Sequence, residues 1–138
     1  MASLTKLNKE GHNKYAELLG MKIGDVGDGK CTVTMEVTEN HFHPGMIVHG
    51  GVAFSIADTC MAVALLSTVE NGKTGSTIEA KMSYLAPVTS GTMIGVGKIV
   101  KRGRTIAFLE AEVKVGDKLV ATATASFAIV DLPTFEKK

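Results

Sequence analysis

Between Asn40 and Val69 the chain carries one formal charge, Asp58, inside the small and apolar run GGVAFSIADTCMAVALLSTV that follows His49. A carboxylate in such a segment is costly to bury uncompensated, so Asp58 calls for a partner, a water-lined cleft or a chemical task. His49-Gly50-Gly51 opens the run. The first N–H groups of a helix lack partners within it and carry the positive end of its dipole, so a helix starting here offers an anion-stabilising end at Gly50 and Gly51. Two glycines also let a ligand approach the backbone closely.

Asp58 lies eight residues beyond Gly50, about 12 Å along a helix axis. One helix cannot bring both groups to the same reacting atom. Two copies packed antiparallel about a two-fold axis can, because the start of one then lies beside the middle of the other. The spacing favours a site shared between subunits. The competing reading of Asp58 is structural, a carboxylate tied to backbone or to the Ser55 or Thr59 hydroxyls.

The elements that must hold these groups follow from periodicity. Residues 51–68 are too long for a strand, are rich in Ala and lack Pro, and read as a central helix buried on most of its circumference. From Gly29 to Thr38, Cys31, Val33, Met35 and Val37 alternate with Thr and Glu as in a half-buried strand, with MKIGDVGDGK as its hairpin partner and turn. Four further β-like runs, 76–85, 92–101, 105–115 and 118–130, are separated by short turns suited to an antiparallel meander. Residues 5–19 read as a short N-terminal helix stopped by Gly20 and weakened by Gly11, and a polar tail starts at 131. The expected fold is α+β, one long helix facing a sheet of five or six strands.

At 138 residues the chain suits a single domain spanning 1–138. A net charge of +1 gives no footprint for nucleic acid. Cys31 and Cys60 lack CxxC spacing and fall in a strand and a buried helix, so they read as reduced, buried thiols. The N-terminus has no apolar core of signal type and the most hydrophobic stretch is interrupted by His49, Asp58 and glycines, so the expectation is a cytoplasmic protein without a membrane partner. His12 and His41 read as surface or packed residues. No metal site is expected, since His41, His43 and His49 lack a matched carboxylate or thiolate and the Pro44-Gly45 turn would splay the rings.

The run His43-Pro44-Gly45-Met46-Ile47-Val48-His49-Gly50-Gly51, Asp58 nine residues after His49, SYLAPVTSGT and KRGRTIAFLEAEV together resemble the hotdog-fold acyl-CoA thioesterases, in the branch of the phenylacetate-pathway thioesterase. The similarity runs from about Met21 to Val130. It implies an antiparallel sheet wrapped around one long helix, subunits paired into a homodimer with a continuous sheet, and dimers paired again into a homotetramer. It also implies hydrolysis of an acyl-CoA without metal or redox cofactor, coenzyme A being part of the substrate.

Carried over residue by residue, the resemblance gives the thioester oxygen to the Gly50 N–H, with His49 supporting that turn or touching the thioester. Asp58 of the opposite subunit becomes nucleophile or general base. Thr77 matches a hydroxyl that positions water, or satisfies neighbouring backbone. His43 departs from the pattern: relatives commonly carry Asn or Gln there, and an imidazole keeps one donor but titrates near neutrality. Lys101, Arg102, Gly103, Arg104 and Thr105 fall at the turn that binds coenzyme A phosphates in the family, where the competing reading is a solvated loop. Two other functions fit the same fold: an acyl-thioester hydratase or dehydratase, suggested by Asn40-His41-Phe42-His43-Pro44, and a non-catalytic acyl-CoA-binding module.

Overall fold

A computed structural model describes residues 13–132. Its elements are helix α1 (Lys14–Leu19), strands β1 (Met21–Gly27) and β2 (Lys30–Glu36), helix α2 (Gly50–Leu66), and strands β3 (Lys73–Tyr84), β4 (Thr92–Arg102), β5 (Ile106–Val115) and β6 (Lys118–Asp131). All strand pairs are antiparallel, in one six-stranded sheet of order β1-β2-β4-β5-β6-β3. The single long helix lies on one face of it, as the α+β expectation requires.

Local chemistry explains most element ends. Asp28 and Gly29 join β1 to β2 with φ of 52° and 77°, the pair of left-handed residues that a tight hairpin needs. Gly20, at φ 82°, closes α1 by donating its N–H to the Ala16 and Glu17 carbonyls. Along β2 and β5 burial alternates residue by residue, the period of strands with one face on the core.

Two expectations are corrected. The last four strands do not form a simple meander: β3 pairs with β6 at the sheet edge, while β4 sits between β2 and β5. Residues 85–91 therefore cross the end of the sheet, over about 14 Å at ordinary strand spacing. Their path is fixed by hydrogen bonds, Leu85 N–H to the Val120 carbonyl at 2.9 Å and Val48 N–H to the Val88 carbonyl at 2.8 Å. Asp131 belongs to β6, where it pairs with Lys73 at 2.9 Å, so the tail starts beyond it. The described part of the N-terminal helix begins at Lys14, capped by the Asn13 side chain; residues 5–12, with Gly11 and His12, lie outside the described residues, as do 133–138.

The helix packs on the sheet most closely at β4. A Cβ on Gly97 would stand 2.7 Å from the Cys60 carbonyl carbon and 2.8 Å from the Met61 nitrogen, and one on Gly95 would stand 2.5 Å from Ile56 Cγ2. Helix backbone thus rests almost directly on strand backbone, with Ile56, Cys60 and Met61 fully buried. Because backbone cannot step aside as a side chain can, Gly97→Ala should destabilise the protein by about 2–3 kcal/mol in urea unfolding. Gly24→Ala, whose Cβ meets only the Thr32 oxygen at 3.4 Å, should change stability by less than about 1 kcal/mol. Equal midpoints for the two variants would contradict the close approach.

Candidate active site

Residues 42–48 form a small hairpin closed by the Phe42–Val48 bridge, with His43 N–H bonded to the Ile47 carbonyl at 2.9 Å and Met46 N–H to the His43 carbonyl at 3.0 Å. It delivers the chain to the start of α2 and sets His43 and His49 on the wall of one cavity of about 350 Å³, together with Gly50 and Tyr84. The rest of that wall is apolar, including Ile47, Val48, Ala53, Leu85, Val88 and Met93. A larger recess of about 580 Å³ beside α1, β1 and β2 contains none of the predicted site residues.

Both imidazoles are oriented the same way. His43 Nδ1 accepts the Gly45 N–H at 2.8 Å, and His49 Nδ1 accepts the Gly51 N–H at 2.8 Å. A ring nitrogen that accepts carries no proton, so each ring bears its proton on Nε2 and is a donor there. His49 is thereby the N-cap of α2, taking the part usually played by Ser, Thr, Asp or Asn. Its own carbonyl accepts the Val52 N–H at 2.9 Å. Among the described residues no acceptor takes the Gly50 N–H. The cavity wall therefore contains three residues with a hydrogen-bond donor to offer, Gly50, His49 and His43.

Asp58 stands elsewhere. It is half-buried, not enclosed as the apolar run suggests, because at 3.6 residues per turn it points about half a turn away from Ile56 and Cys60, which face β4. Its Oδ1 accepts the Thr77 hydroxyl of β3 at 2.9 Å. Neither Ser55 nor Thr59 provides the tether considered from sequence: the Ser55 hydroxyl donates to the Gly51 carbonyl at 2.8 Å and is met by Tyr15 at 2.6 Å. A bulge between Thr77 and Glu79 interrupts the β3–β6 ladder at this point, the kind of irregularity that re-aims a strand side chain. Asp58 and Thr77 are not on the wall of the cavity that holds Gly50.

The basic turn lies at the Asp58 end. Arg102, Ala107, Phe127 and Thr77 are partners in one cross-strand row, which sets Arg102 about 14 Å across the sheet from Thr77. Arg102 is partly engaged, with Nε donating to the Thr68 hydroxyl at 3.3 Å just past the end of α2 and a second nitrogen donating to the Gly103 carbonyl. The Gly103 N–H bonds the Ile106 carbonyl at 2.9 Å, and the Thr105 carbonyl accepts from Ile129 at 2.8 Å. Lys101 and Arg104 are exposed with no acidic partner among the described residues.

His41 is buried, with Nδ1 accepting the Thr38 N–H at 2.9 Å and Nε2 donating to the Leu19 carbonyl at 2.7 Å. Both nitrogens are used, so it ties the turn after β2 to the end of α1 and has no free position for chemistry. Burial raises both thiols, Cys31 and Cys60, to about 12, which leaves them protonated and unreactive. No group of three or more His, Cys, Asp or Glu residues suited to a metal occurs among the described residues. Sequence reasoning missed Tyr84, whose hydroxyl donates to the Gly50 carbonyl at 2.8 Å. Its one signal was its place at the head of the Tyr-Leu-Ala-Pro run that leaves β3.

The model of the thioesterase superfamily matches residues 45–122, which include the hairpin tip, α2, strands β3 to β5 and the start of β6. The chain belongs to the thioesterase superfamily. As a member it is a hydrolase, and its antiparallel sheet with one long helix is the hotdog fold. Human acyl-coenzyme A thioesterase 13 is 31% identical over 111 residues, 78% of this chain and 79% of that one. A conserved protein of Pseudomonas aeruginosa has a similar solved structure, with a TM-score of 0.82 at 34% identity over 84% of this chain and 93% of that one. The phenylacetic acid degradation protein of Thermus thermophilus superposes with a TM-score of 0.78 at 26% identity, over 84% of this chain and 98% of that one. The resemblance read from sequence is thus confirmed at the level of family and fold. No helix among the described residues is long and apolar enough to cross a membrane.

Proposed function

We propose that this chain hydrolyses an acyl-CoA thioester to a free acid and coenzyme A, at two sites each shared by the two chains of a homodimer. One observation carries the reading: the donors Gly50, His49 and His43 belong to one cavity, and the Asp58–Thr77 pair lies off it. A hydrolytic site needs both, and an antiparallel mate supplies the missing half. The free outer edge of β3 supports such a mate. At twelve residues it is long for an edge strand, and unpaired edges of that kind invite a partner strand. Two β3 edges joined about a two-fold axis give a continuous sheet, and pairing of dimers gives the homotetramer that the family resemblance implies.

In the proposed reaction the thioester oxygen rests on the Gly50 N–H, with the His49 and His43 Nε2–H groups as neighbouring donors. The mate's Asp58, held through Oδ1 by Thr77, takes a proton from water at Oδ2. The water oxygen bonds to the carbonyl carbon while the carbonyl electron pair moves to oxygen, where the donors stabilise it. Collapse of this adduct breaks the carbon–sulfur bond, and the proton held by Asp58 passes to the departing thiolate. Water is the only co-substrate, and the step calls on no cofactor. Of the two histidines in the segment that suggested a hydratase, His41 has both nitrogens occupied and offers no proton shuttle, while His43 keeps Nε2.

Asp58→Asn keeps the size and the bond from Thr77 but removes the base. It should lower kcat for acyl-CoA hydrolysis by about 10²–10⁴-fold with the circular dichroism spectrum and oligomeric mass unchanged. Near-normal turnover in the folded variant contradicts the role, and loss of folding points to a structural Asp. The nucleotide phosphates of coenzyme A are assigned to the Lys101–Thr105 turn, where Lys101 and Arg104 are the free cations. Lys101→Ala and Arg104→Ala should therefore raise KM for acyl-CoA more than they lower kcat, because contacts remote from the thioester supply mostly uniform binding. Truncated pantetheine thioesters should not respond to either change. An equal response by both substrates places the phosphates elsewhere.

A further inference from the structure

Tyr84 and His49 hold the two ends of a single peptide group. The Tyr84 hydroxyl donates to the Gly50 carbonyl oxygen at 2.8 Å, and the N–H across that peptide bond, on Gly51, donates to His49 Nδ1 at 2.8 Å. Hydrogen bonds in series polarise one another, so a donor on the carbonyl strengthens the N–H as a donor in turn. The Tyr84 ring is also seated on Gly50: a Cβ there would come within 3.2–3.3 Å of its Cζ, Cε1 and Oη. Tyr84, His49 and Gly50 line the same cavity.

We propose that Tyr84 is a positioning residue for the thioester-binding end of α2: through the Gly50–Gly51 peptide it holds His49 in the Nε2–H form and fixes the first turn so that the Gly50 N–H faces the cavity. The proposal rests on the hydrolytic reading of that cavity. Tyr84 itself need not touch the substrate. Its effect reaches the thioester oxygen through His49 and Gly50, which fall out of alignment when the Gly50 carbonyl loses the phenolic donor. The helical bond to this carbonyl remains, so the helix persists while its first peptide regains freedom to rock.

The test uses full-length Tyr84→Phe, which keeps the ring and deletes the hydroxyl. Long-range ¹⁵N–¹H spectra of the His49 imidazole report which nitrogen carries the proton. Wild type should show protonated Nε2 and bare Nδ1, and Tyr84→Phe should move the Nδ1 resonance toward the averaged position of exchanging tautomers. Its kcat should fall about three- to tenfold with KM for acyl-CoA within about twofold. Site-specific 3-fluorotyrosine at position 84, a stronger donor that retains the native fold, should shift the same resonance the opposite way. Wild-type His49 spectra in both replacements overturn the proposal, as does an unchanged kcat in Tyr84→Phe. If Asp58→Asn remains active, the hydrolytic reading has failed separately, and the His49 spectra alone decide for or against the Tyr84 clamp.

Discussion

The contact on which this structure turns is the seating of α2 on β4, where Gly95 and Gly97 offer no side chain and the helix comes down to backbone contact at Cys60 and Met61. That seating fixes the rotation of the helix about its axis. With Ile56 and Cys60 pressed into the sheet, Asp58 must emerge on the opposite side, within reach of the Thr77 hydroxyl on edge strand β3. The same seating fixes the height of the helix, so that its first residue arrives under Tyr84, where β3 ends. A bulkier residue on β4 would lift the helix and move Gly50 and Asp58, the two ends of the proposed site, together. The glycines of β4 therefore set the proposed site as much as the groups that line it.

The donors in the cavity owe their direction to short-range hydrogen bonds and little to burial. Each imidazole is pinned by a backbone N–H two residues further along, a local arrangement that leaves Nε2–H pointing outward and costs no other part of the fold. The hairpin at 42–48 brings the rings to the helix start, and the crossing segment after β3 closes the cavity from the other side with apolar side chains. An oxyanion placed there meets oriented donors beside an apolar wall, the arrangement that stabilises charge developing on oxygen. Asp58, the proposed base, is half-buried and off this wall, and completes the proposed site only when supplied by a second chain.

Much of this was legible in sequence because it depends on period and spacing. The alternation in β2 and the apolar length of α2 gave both elements to within a few residues, and the distance from Gly50 to Asp58 predicted that one helix could not unite them. The sheet order was not legible: period-two runs with short turns look alike whether neighbours in sequence are neighbours in space, and only the bonds from Leu85 and Val48 show that the chain leaves β3 to cross the sheet. His49 as a helix cap escaped the usual rule because imidazole is not a common cap. Tyr84 escaped because its partner is a carbonyl thirty-four residues away. Gly95 and Gly97 fall within the β-like run 92–101, and a close helix above them leaves no trace in a one-dimensional pattern.

The central claim is that oxyanion donor and carboxylate come from different chains, and subunit complementation tests it most directly. One chain carries Asp58→Asn and the other Gly50→Pro, which deletes the donor N–H at the first helical position, where the Pro backbone fits and the Tyr84 ring must shift by a few tenths of an ångström to admit the new side chain. Each homodimer has two defective sites. A heterodimer formed by refolding the mixture has one site with both lesions and one with neither, so an equimolar random mixture should recover about a quarter of wild-type activity. Heterodimers isolated through two different tags and verified by native mass should then show one working site per dimer. Verified heterodimers as inactive as their parents would contradict the shared site and return Asp58 to its own subunit.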